Sequence, residues 1–410
     1  MSVDVRTRVD GPTPAVDPAA FFDHELPGAL EANGALLETP VRALAPPPLT
    51  VEVDGATWHL SAADGRVVVR RGASVSHAVD SPKVSLRLGV DQLGDLVHDQ
   101  ATPMGWFSSG QLALEGRLED LLDWWLVIRG ALDGTAPHVT GAPEFRASDG
   151  RPLDLARSFA WTDPDEDMAR FLEQTGFLHV TGVFGEDDMA AVSADMDEAA
   201  PSYAPGDGQS WWARTSDGTD RLVRMQGFDR RSGAVRSLLG DDRLARLCAL
   251  TGDGHLVGDM DGNAIEALVK PIGVVRGISD VPWHKDCSLG RHSYECCSLT
   301  VGISVTGADA TSGQLRVVAG SNRVLVWPAL LKRDNPLPVV DLPTATGDVT
   351  VHLSCTLHMA QPPVDRERRV LYTGFRLPPR ALDDAGEQRR RLRAVREAAA
   401  VTVSQPPSRI

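Results

Sequence analysis

The amino-acid sequence predicts a small α+β half followed by a larger β-rich sandwich or barrel with flanking helices. Three observations predict it. A helical run and several short alternating strands, broken by Gly, Asp and Pro, fill the first third of the chain. A strongly apolar helix then closes that half, and turn material follows it. From about residue 264 onward, short β-rich runs separated by Gly, Pro and Asp dominate.

In chain order, Phe21, Phe22, Leu26, Leu30 and Leu37 fall at roughly helical spacing. The run ends at Ala45-Pro46-Pro47-Pro48, because prolines lack the amide proton a helix needs. Residues 50–53, 57–60, 67–69 and 84–88 alternate and predict a small sheet. Leu93, Leu96 and Val97 mark one face of a helix, and residues 111–115 a further strand. Residues 118–132 form the closing apolar helix, ended by Asp133-Gly134-Thr135-Ala136-Pro137. Residues 141–152 read as a linker.

The second half opens with Phe171-Leu172-Glu173-Gln174-Thr175-Gly176-Phe177-Leu178-His179-Val180, a helix, a glycine stop and a strand. Residues 183–199 predict a second amphipathic helix. Strands are expected at 267–270, 298–305, 314–318, 349–353 and 370–375. Residues 201–228, rich in Gly, Asp and Trp, read as a long irregular segment of the kind that forms lids and binding loops. Trp211, Trp212 and Arg224 in it are candidate substrate contacts, with aromatic packing on the barrel flank as the alternative.

Composition narrows the function. The 410 residues are 42% hydrophobic and 24% charged, which supports a sizeable core and excludes wholesale disorder. A net charge of −15 repels phosphate backbones and anionic membranes, so neither is expected as a partner. No stretch approaches the roughly 18 apolar residues of a membrane span; the best run, 121–132, is broken by Asp123 and Arg129. Residues 1–17 lack the apolar region of a secretory signal, so a cytoplasmic protein is expected. Cys248, Cys287, Cys296, Cys297 and Cys355 make an odd count without CxxC pairs, which fits reduced thiols. Cys296-Cys297 reads as buried strand packing, and residues 386–410 as a charged, solvated tail.

The sharpest local feature is Pro282-Trp283-His284-Lys285-Asp286. In an extended strand, residues i and i+2 share a face, so His284 and Asp286 present an imidazole and a carboxylate together. His352 and His358 compete to supply a third ligand. Two histidines and one carboxylate on one face leave open positions on an octahedral metal, the ligand set of non-haem Fe(II) oxygenases. Downstream, Arg366-Glu367-Arg368-Arg369 opens an otherwise apolar strand. An arginine fork buried beside the metal would hold the distal carboxylate of 2-oxoglutarate; a solvated charge run is the alternative.

Together these segments resemble the phytanoyl-CoA dioxygenase family of Fe(II)/2-oxoglutarate oxygenases over roughly residues 165–380. Leu268-Val269-Lys270-Pro271 precedes Trp283-His284-Lys285-Asp286, Ser312-Gly313-Gln314-Leu315-Arg316-Val317-Val318-Ala319-Gly320-Ser321-Asn322 follows, and Gly347-Asp348 stands before His358. The resemblance implies a double-stranded β-helix of the jelly-roll or cupin type. It implies His284, Asp286 and His358 as iron ligands, and Fe(II), 2-oxoglutarate and O₂ as cofactor, cosubstrate and oxidant. His352 then falls where the family usually has an aromatic residue. Arg368 would bind the 2-oxoglutarate carboxylate, with Arg369 as its neighbour if the register slips by one. Lys270 would sit near the cosubstrate, an exposed lysine being the alternative. Met359-Ala360 stands where Gly-Ser is frequent, so Thr300 or Ser298 would replace the missing serine hydroxyl. Asp286 is the carboxylate that related halogenases lack, which favours hydroxylation or desaturation.

The first half resembles the sterol-carrier-protein fold over roughly residues 15–140. The likeness rests on Phe21-Phe22 with Leu26-Pro27, on Val51-Glu52-Val53-Asp54-Gly55-Ala56-Thr57-Trp58, and on Gly110-Gln111-Leu112-Ala113-Leu114-Glu115-Gly116. It implies an apolar ligand between sheet and helices, or a domain used for packing or homodimerisation. The expected domains are therefore 1–145, 155–385 and the tail. The leading function is a hydroxylase or desaturase of a small or apolar metabolite, with a role in natural-product biosynthesis. A non-enzymatic lipid or isoprenoid carrier, and a Zn²⁺ hydrolase using the same ligands, are the competing readings.

Overall fold

A computed structural model describes residues 13–72, 84–108, 110–141, 143–252, 254–257, 264–277, 279, 282–287, 298–329 and 336–376. Cys296-Cys297 and the tail 386–410 lie outside the described residues. The chain falls into two compact units. The first is built mainly from residues up to 142, with residues 323–336 returning to it; the second is built mainly from residue 143 onward.

In the first unit, strands β1 (Leu49–Val53), β2 (Ala56–Ala63), β3 (Arg66–Arg71), β4 (Val84–Leu88) and β5 (Ala113–Glu115) form a sheet of order β3-β2-β1-β4-β5. β1 and β4 pair in parallel and the other neighbours antiparallel. Alternation on β1 buries Leu49, Val51 and Val53 and leaves Thr50 and Glu52 half-buried. The buried face meets Phe21, Phe22, Leu26 and the helix Leu118–Asp133, whose Trp124, Trp125 and Val127 join the same core. The two charges that interrupt this helix are both satisfied. Arg129 pairs with Asp133 at 2.5 Å and donates to the carbonyls of Leu96 and Val97, and Asp123 accepts from Trp327 Nε1 at 2.9 Å. Among the described residues, no helix is long and apolar enough to cross a membrane. A cavity of about 20 Å³ remains between Phe21, Phe22, Leu86, Leu121, Trp125 and Ile128. That volume admits about one water-sized sphere.

The second unit is a jelly-roll-type sandwich of unequal sheets. Its strands are β6 (Phe159–Ala160), β7 (Phe177–Thr181), β8 (Ser210–Thr215), β9 (Asp220–Met225), β10 (Leu256–Val257), β11 (Glu266–Lys270), β12 (Val274–Arg276), β13 (Ser298–Ser304), β14 (Leu315–Val318), β15 (Val339–Leu342), β16 (Val349–Leu353), β17 (His358–Ala360) and β18 (Arg368–Arg376). Among the described residues, the major sheet runs β12-β8-β9-β11-β18-β13-β16-β7-β6, with β10 also on β18, and the minor sheet runs β15-β14-β17. Leu299, Val301, Ile303, Val349, Val351, Leu371 and Phe375 form one apolar core with helix residues such as Phe171, Met189, Val192 and Leu244. Their register partners show that they share the outer, helix-covered face of the major sheet.

The expectation of a long irregular segment at 201–228 is corrected. Residues 210–225 form the β8–β9 hairpin, joined to β11 within the major sheet. Its turn is closed by Thr215 Oγ1 donating to Asp217 at 2.7 Å, with Gly218 at φ +83°. The Gly and Asp residues that suggested a loop are turn residues flanking two strands.

Candidate metal centre

Two backbone hydrogen bonds set the centre. His284 N–H donates to the His358 carbonyl at 3.0 Å, and His358 N–H returns a bond to the His284 carbonyl at 2.9 Å. Residues paired in this reciprocal way lie opposite each other with side chains on one face. The two imidazoles accordingly sit side by side, ring centres 4.2 Å apart. Asp286, two residues from His284, turns to the same side. One ligand atom each of His284, Asp286 and His358 lies within 4.8 Å of the others.

The tautomers are set as well. His284 Nδ1 lies 2.7 Å from the Pro282 carbonyl, and His358 Nδ1 2.9 Å from the Thr356 carbonyl. A carbonyl only accepts, so each Nδ1 carries the proton and each Nε2 keeps its lone pair for a metal. Such a backbone partner fixes ring orientation and raises ligand basicity. His284 is 9% exposed and His358 6%, so the two imidazoles are shielded from bulk water, while Asp286 is half-buried. The residues present therefore fit an octahedral Fe(II) held on one face. His352 lies against His358, ring centres 4.1 Å apart and planes tilted by 47°. It is a buried neighbour outside the group of three ligand atoms.

Register shows what faces the centre. Thr300 lies opposite His352 and Gly374; Gly302 lies opposite Thr350 and Tyr372. Tyr372 lies opposite Glu266, and Arg368 opposite Lys270. Directly opposed residues share a face, so Thr300, His352, Tyr372, Glu266, Lys270 and Arg368 line the inner side of the major sheet. Gly302 makes room there: a Cβ would come within 2.9 Å of Thr350 Oγ1 and Tyr372 Cε1.

Arg368 and Lys270 are each 2% exposed. Arg368 Nη1 donates to the Gly313 carbonyl at 2.7 Å, while its Nε is buried without a partner. Lys270 Nζ donates to the Ser279 carbonyl. A buried guanidinium with an uncommitted donor suits the distal carboxylate of 2-oxoglutarate. Arg369 points to the outer face, bonds Ser193 and pairs with Asp197 at 2.8 Å. Arg366 and Glu367 are exposed. The charge run is thus split: solvated at its start, inward at Arg368, outward at Arg369.

The three candidates from the hairpin separate too. Arg224 lies opposite Leu268 and Trp211 opposite Arg224, which puts both on the inner face. Trp212, beyond a register shift, packs on the outer core, and its Nε1 donates to Ser210 Oγ at 2.9 Å. Glu266 and Tyr372 escaped the sequence reading. Their only sequence signal is period two along β11 and β18, shared with Lys270 and Arg368.

The family model described as phytanoyl-CoA dioxygenase matches residues 172–369. No curated protein sequence matches the chain. Among solved structures, the chain is similar to EvdMO1, with 24% identity, TM-score 0.42, and coverage of 52% of this chain and 50% of that one. The chain thus spans about half the length of EvdMO1. It is similar to AviO1 from Streptomyces viridochromogenes Tue57, with 22% identity, TM-score 0.42, and coverage of 53% and 98%. It is also similar to the epimerase SnoN in complex with Fe3+, alpha ketoglutarate and nogalamycin RO, with 19% identity, TM-score 0.40, and coverage of 52% and 83%. The segment matched by the family model contains His284, Asp286, His358 and the buried Arg368, and over residues 172–369 the chain is similar to the phytanoyl-CoA dioxygenase family.

Proposed function

We propose that the second half of the chain is an Fe(II)- and 2-oxoglutarate-dependent dioxygenase that hydroxylates or desaturates a C–H bond of a small metabolite. The observation that carries this reading is the grouping of His284, Asp286 and His358 within 4.8 Å, with each histidine tautomer set by a backbone carbonyl. The fold assignment that goes with it is a double-stranded β-helix, supported by the unequal sheets around the centre.

In this reading His284 Nε2, His358 Nε2 and the Asp286 carboxylate hold the metal. Arg368 holds the distal carboxylate of 2-oxoglutarate, with Lys270 beside it and Thr300 on the same face. When bound, the ferrous ion supplies O₂ activation coupled to decarboxylation of 2-oxoglutarate to succinate, and oxidation of the substrate C–H bond. The chain orients these partners and excludes water. A zinc hydrolase has no use for a buried arginine across the strand from Lys270. SnoN, described as an epimerase from nogalamycin biosynthesis, supports a role in natural-product biosynthesis by analogy alone.

For the first unit, the five-stranded sheet against apolar helices supports a sterol-carrier-like fold. Its filled core supports a packing role over lipid carriage.

Anaerobic titration with Fe(II) and 2-oxoglutarate tests the centre. A weak visible charge-transfer band is expected in the wild type. It disappears in His284→Ala and weakens in Arg368→Ala. Well-folded wild-type protein without the band overturns the reading.

A further inference from the structure

Arg224 belongs to no part of the centre described so far, yet it sits on the same inner face. It lies opposite Leu268, two residues along β11 from Lys270, which in turn lies opposite Arg368. Strand spacing and rise place its Cα about 12 Å from that of Arg368. A cosubstrate and a small substrate side by side fill such a span.

Its geometry is held from two sides. The guanidinium carbon lies 4.3 Å from the ring centre of Trp211. Nε and Nη2 both bond Glu266 Oε2. Glu266 is 6% exposed, and a carboxylate that deep costs heavily unless it is paired. The ion pair accounts for Glu266. It does not account for the rest of Arg224, whose side chain stays 25% exposed and whose Nη1 makes no hydrogen bond among the described residues.

We propose that Arg224 is the substrate-selecting residue of this face, and that the substrate presents an oxygen acceptor, a hydroxyl or a carboxylate, to Nη1. Guanidinium has donors only, so its partner must accept. Trp211 and Glu266 are positioning residues that hold the plane of the fork. An apolar metabolite would leave that donor desolvated and unmatched, a cost that disfavours it. The proposal rests on the oxygenase reading for what lies beside the substrate.

Three probes of one size test it: toluene, benzyl alcohol and benzoate. Calorimetry reads their binding to protein loaded with Fe(II) and 2-oxoglutarate under argon, while the visible band reads the chelate. Wild type is expected to bind an oxygen-bearing probe at least about tenfold more tightly than toluene, about the worth of one matched hydrogen bond to a charged group. Benzoate ahead of benzyl alcohol marks a carboxylate, the reverse order a hydroxyl. Arg224→Gln removes the preference with the band unchanged, and Arg224→Lys, which keeps the charge, retains part of it. Equal or tighter toluene binding, no binding of any probe, or an intact preference in Arg224→Gln overturns the proposal. So does benzoate that erases the band, since it then occupies the cosubstrate's place. A missing band beside an intact preference removes the oxygenase reading instead.

Discussion

In the first unit, Phe21, Phe22, Trp58 and Trp124 are at most 3% exposed and pack against other apolar groups. On the inner face of the major sheet, Lys270, His352 and Arg368 are buried as deeply, at 2%, 1% and 2%. Both regions exclude water to the same degree. In the first, each buried Å² of carbon lowers the free energy of folding by about 25 cal/mol. In the second, each buried polar group raises it unless a partner is found. A fold that keeps such groups at that cost is shaped for something other than its own stability. Polarity at equal burial therefore separates scaffold from site here, whereas burial alone does not.

The contrast is broken most directly by paired truncations. His284→Ala removes a proposed metal ligand and should lower 2-oxoglutarate turnover, read as succinate, by about a thousandfold or more, with little change in unfolding midpoint. Trp58→Ala removes a ring that stacks on Phe22 at 4.8 Å and donates to Asp23 at 2.7 Å. It should cost about 3–5 kcal/mol in denaturant unfolding. If the two variants exchanged these phenotypes, the division between scaffold and site would fall.

Arg368→Met sharpens the same point. It replaces a buried guanidinium, one nitrogen of which lacks a partner, by an apolar side chain of similar length. Without cosubstrate, stability should hold or rise, since exchanging buried ionic groups for apolar ones is often neutral or favourable. The KM for 2-oxoglutarate should rise about 10- to 100-fold, the worth of one charge-assisted pair. A large loss of stability with unchanged KM would make Arg368 part of the scaffold.

Much of this is legible in the sequence, for identifiable reasons. Period-two alternation marks β1, β13 and β16 because one face of each meets an apolar core. His284 and Asp286 are readable as one-sided because an HxD triplet in extended chain has one geometry. Spacing leaves His352 and His358 in competition, and only the family resemblance favours His358. The β8–β9 hairpin is not readable, because its turn residues outweigh a short alternation. Arg368 and Arg369 could not be told apart by sequence: adjacent strand residues face opposite ways, and only pairing with Lys270 and Val269 shows which way each goes. The second-layer partners were hidden for a different reason. His284 and His358 rest on carbonyls, which every residue carries.

Gly347-Asp348 was visible as a block, while its purpose lay in distant residues. Gly347, at φ +81°, passes so close to Phe184 that a Cβ would sit 2.0 Å from its carbonyl oxygen. Asp348 then accepts from the Gly182 and Ala345 amides, and its Oδ2 lies 3.0 Å from His179 Nε2. Burial pushes its pKa up, and these hydrogen bonds, that with His179 foremost, outweigh burial and hold it below the ordinary value. With the folded value below the unfolded one, the stabilisation is complete at neutral pH. It is lost as pH falls below the ordinary carboxylate range and through the folded pKa. Asp348→Asn should cost about 1–3 kcal/mol at pH 7 and flatten that acid limb of stability against pH. An unchanged acid limb would show that this carboxylate does not set it.

The smallest effect is expected at Arg369, and it tests the face assignment most cleanly. Its guanidinium reaches Asp197, whose side chain is 69% exposed, and donates to Ser193 on the helix Glu186–Ala199. A pair so open to water is worth about 0–1 kcal/mol. Arg369→Ala should therefore shift the unfolding midpoint slightly, more at low salt than at high salt, because screening already weakens the pair. Its KM for 2-oxoglutarate should stay at the wild-type value. One residue away, Arg368→Met should do the opposite on both counts. That reversal follows only from the alternation of β18, which sends neighbouring arginines to the scaffold side and the site side of one sheet. Should Arg369→Ala raise the KM as Arg368→Met does, the strand would have to lie one residue out of register. The inner face built from Lys270, Arg224 and Trp211 would then have to be redrawn.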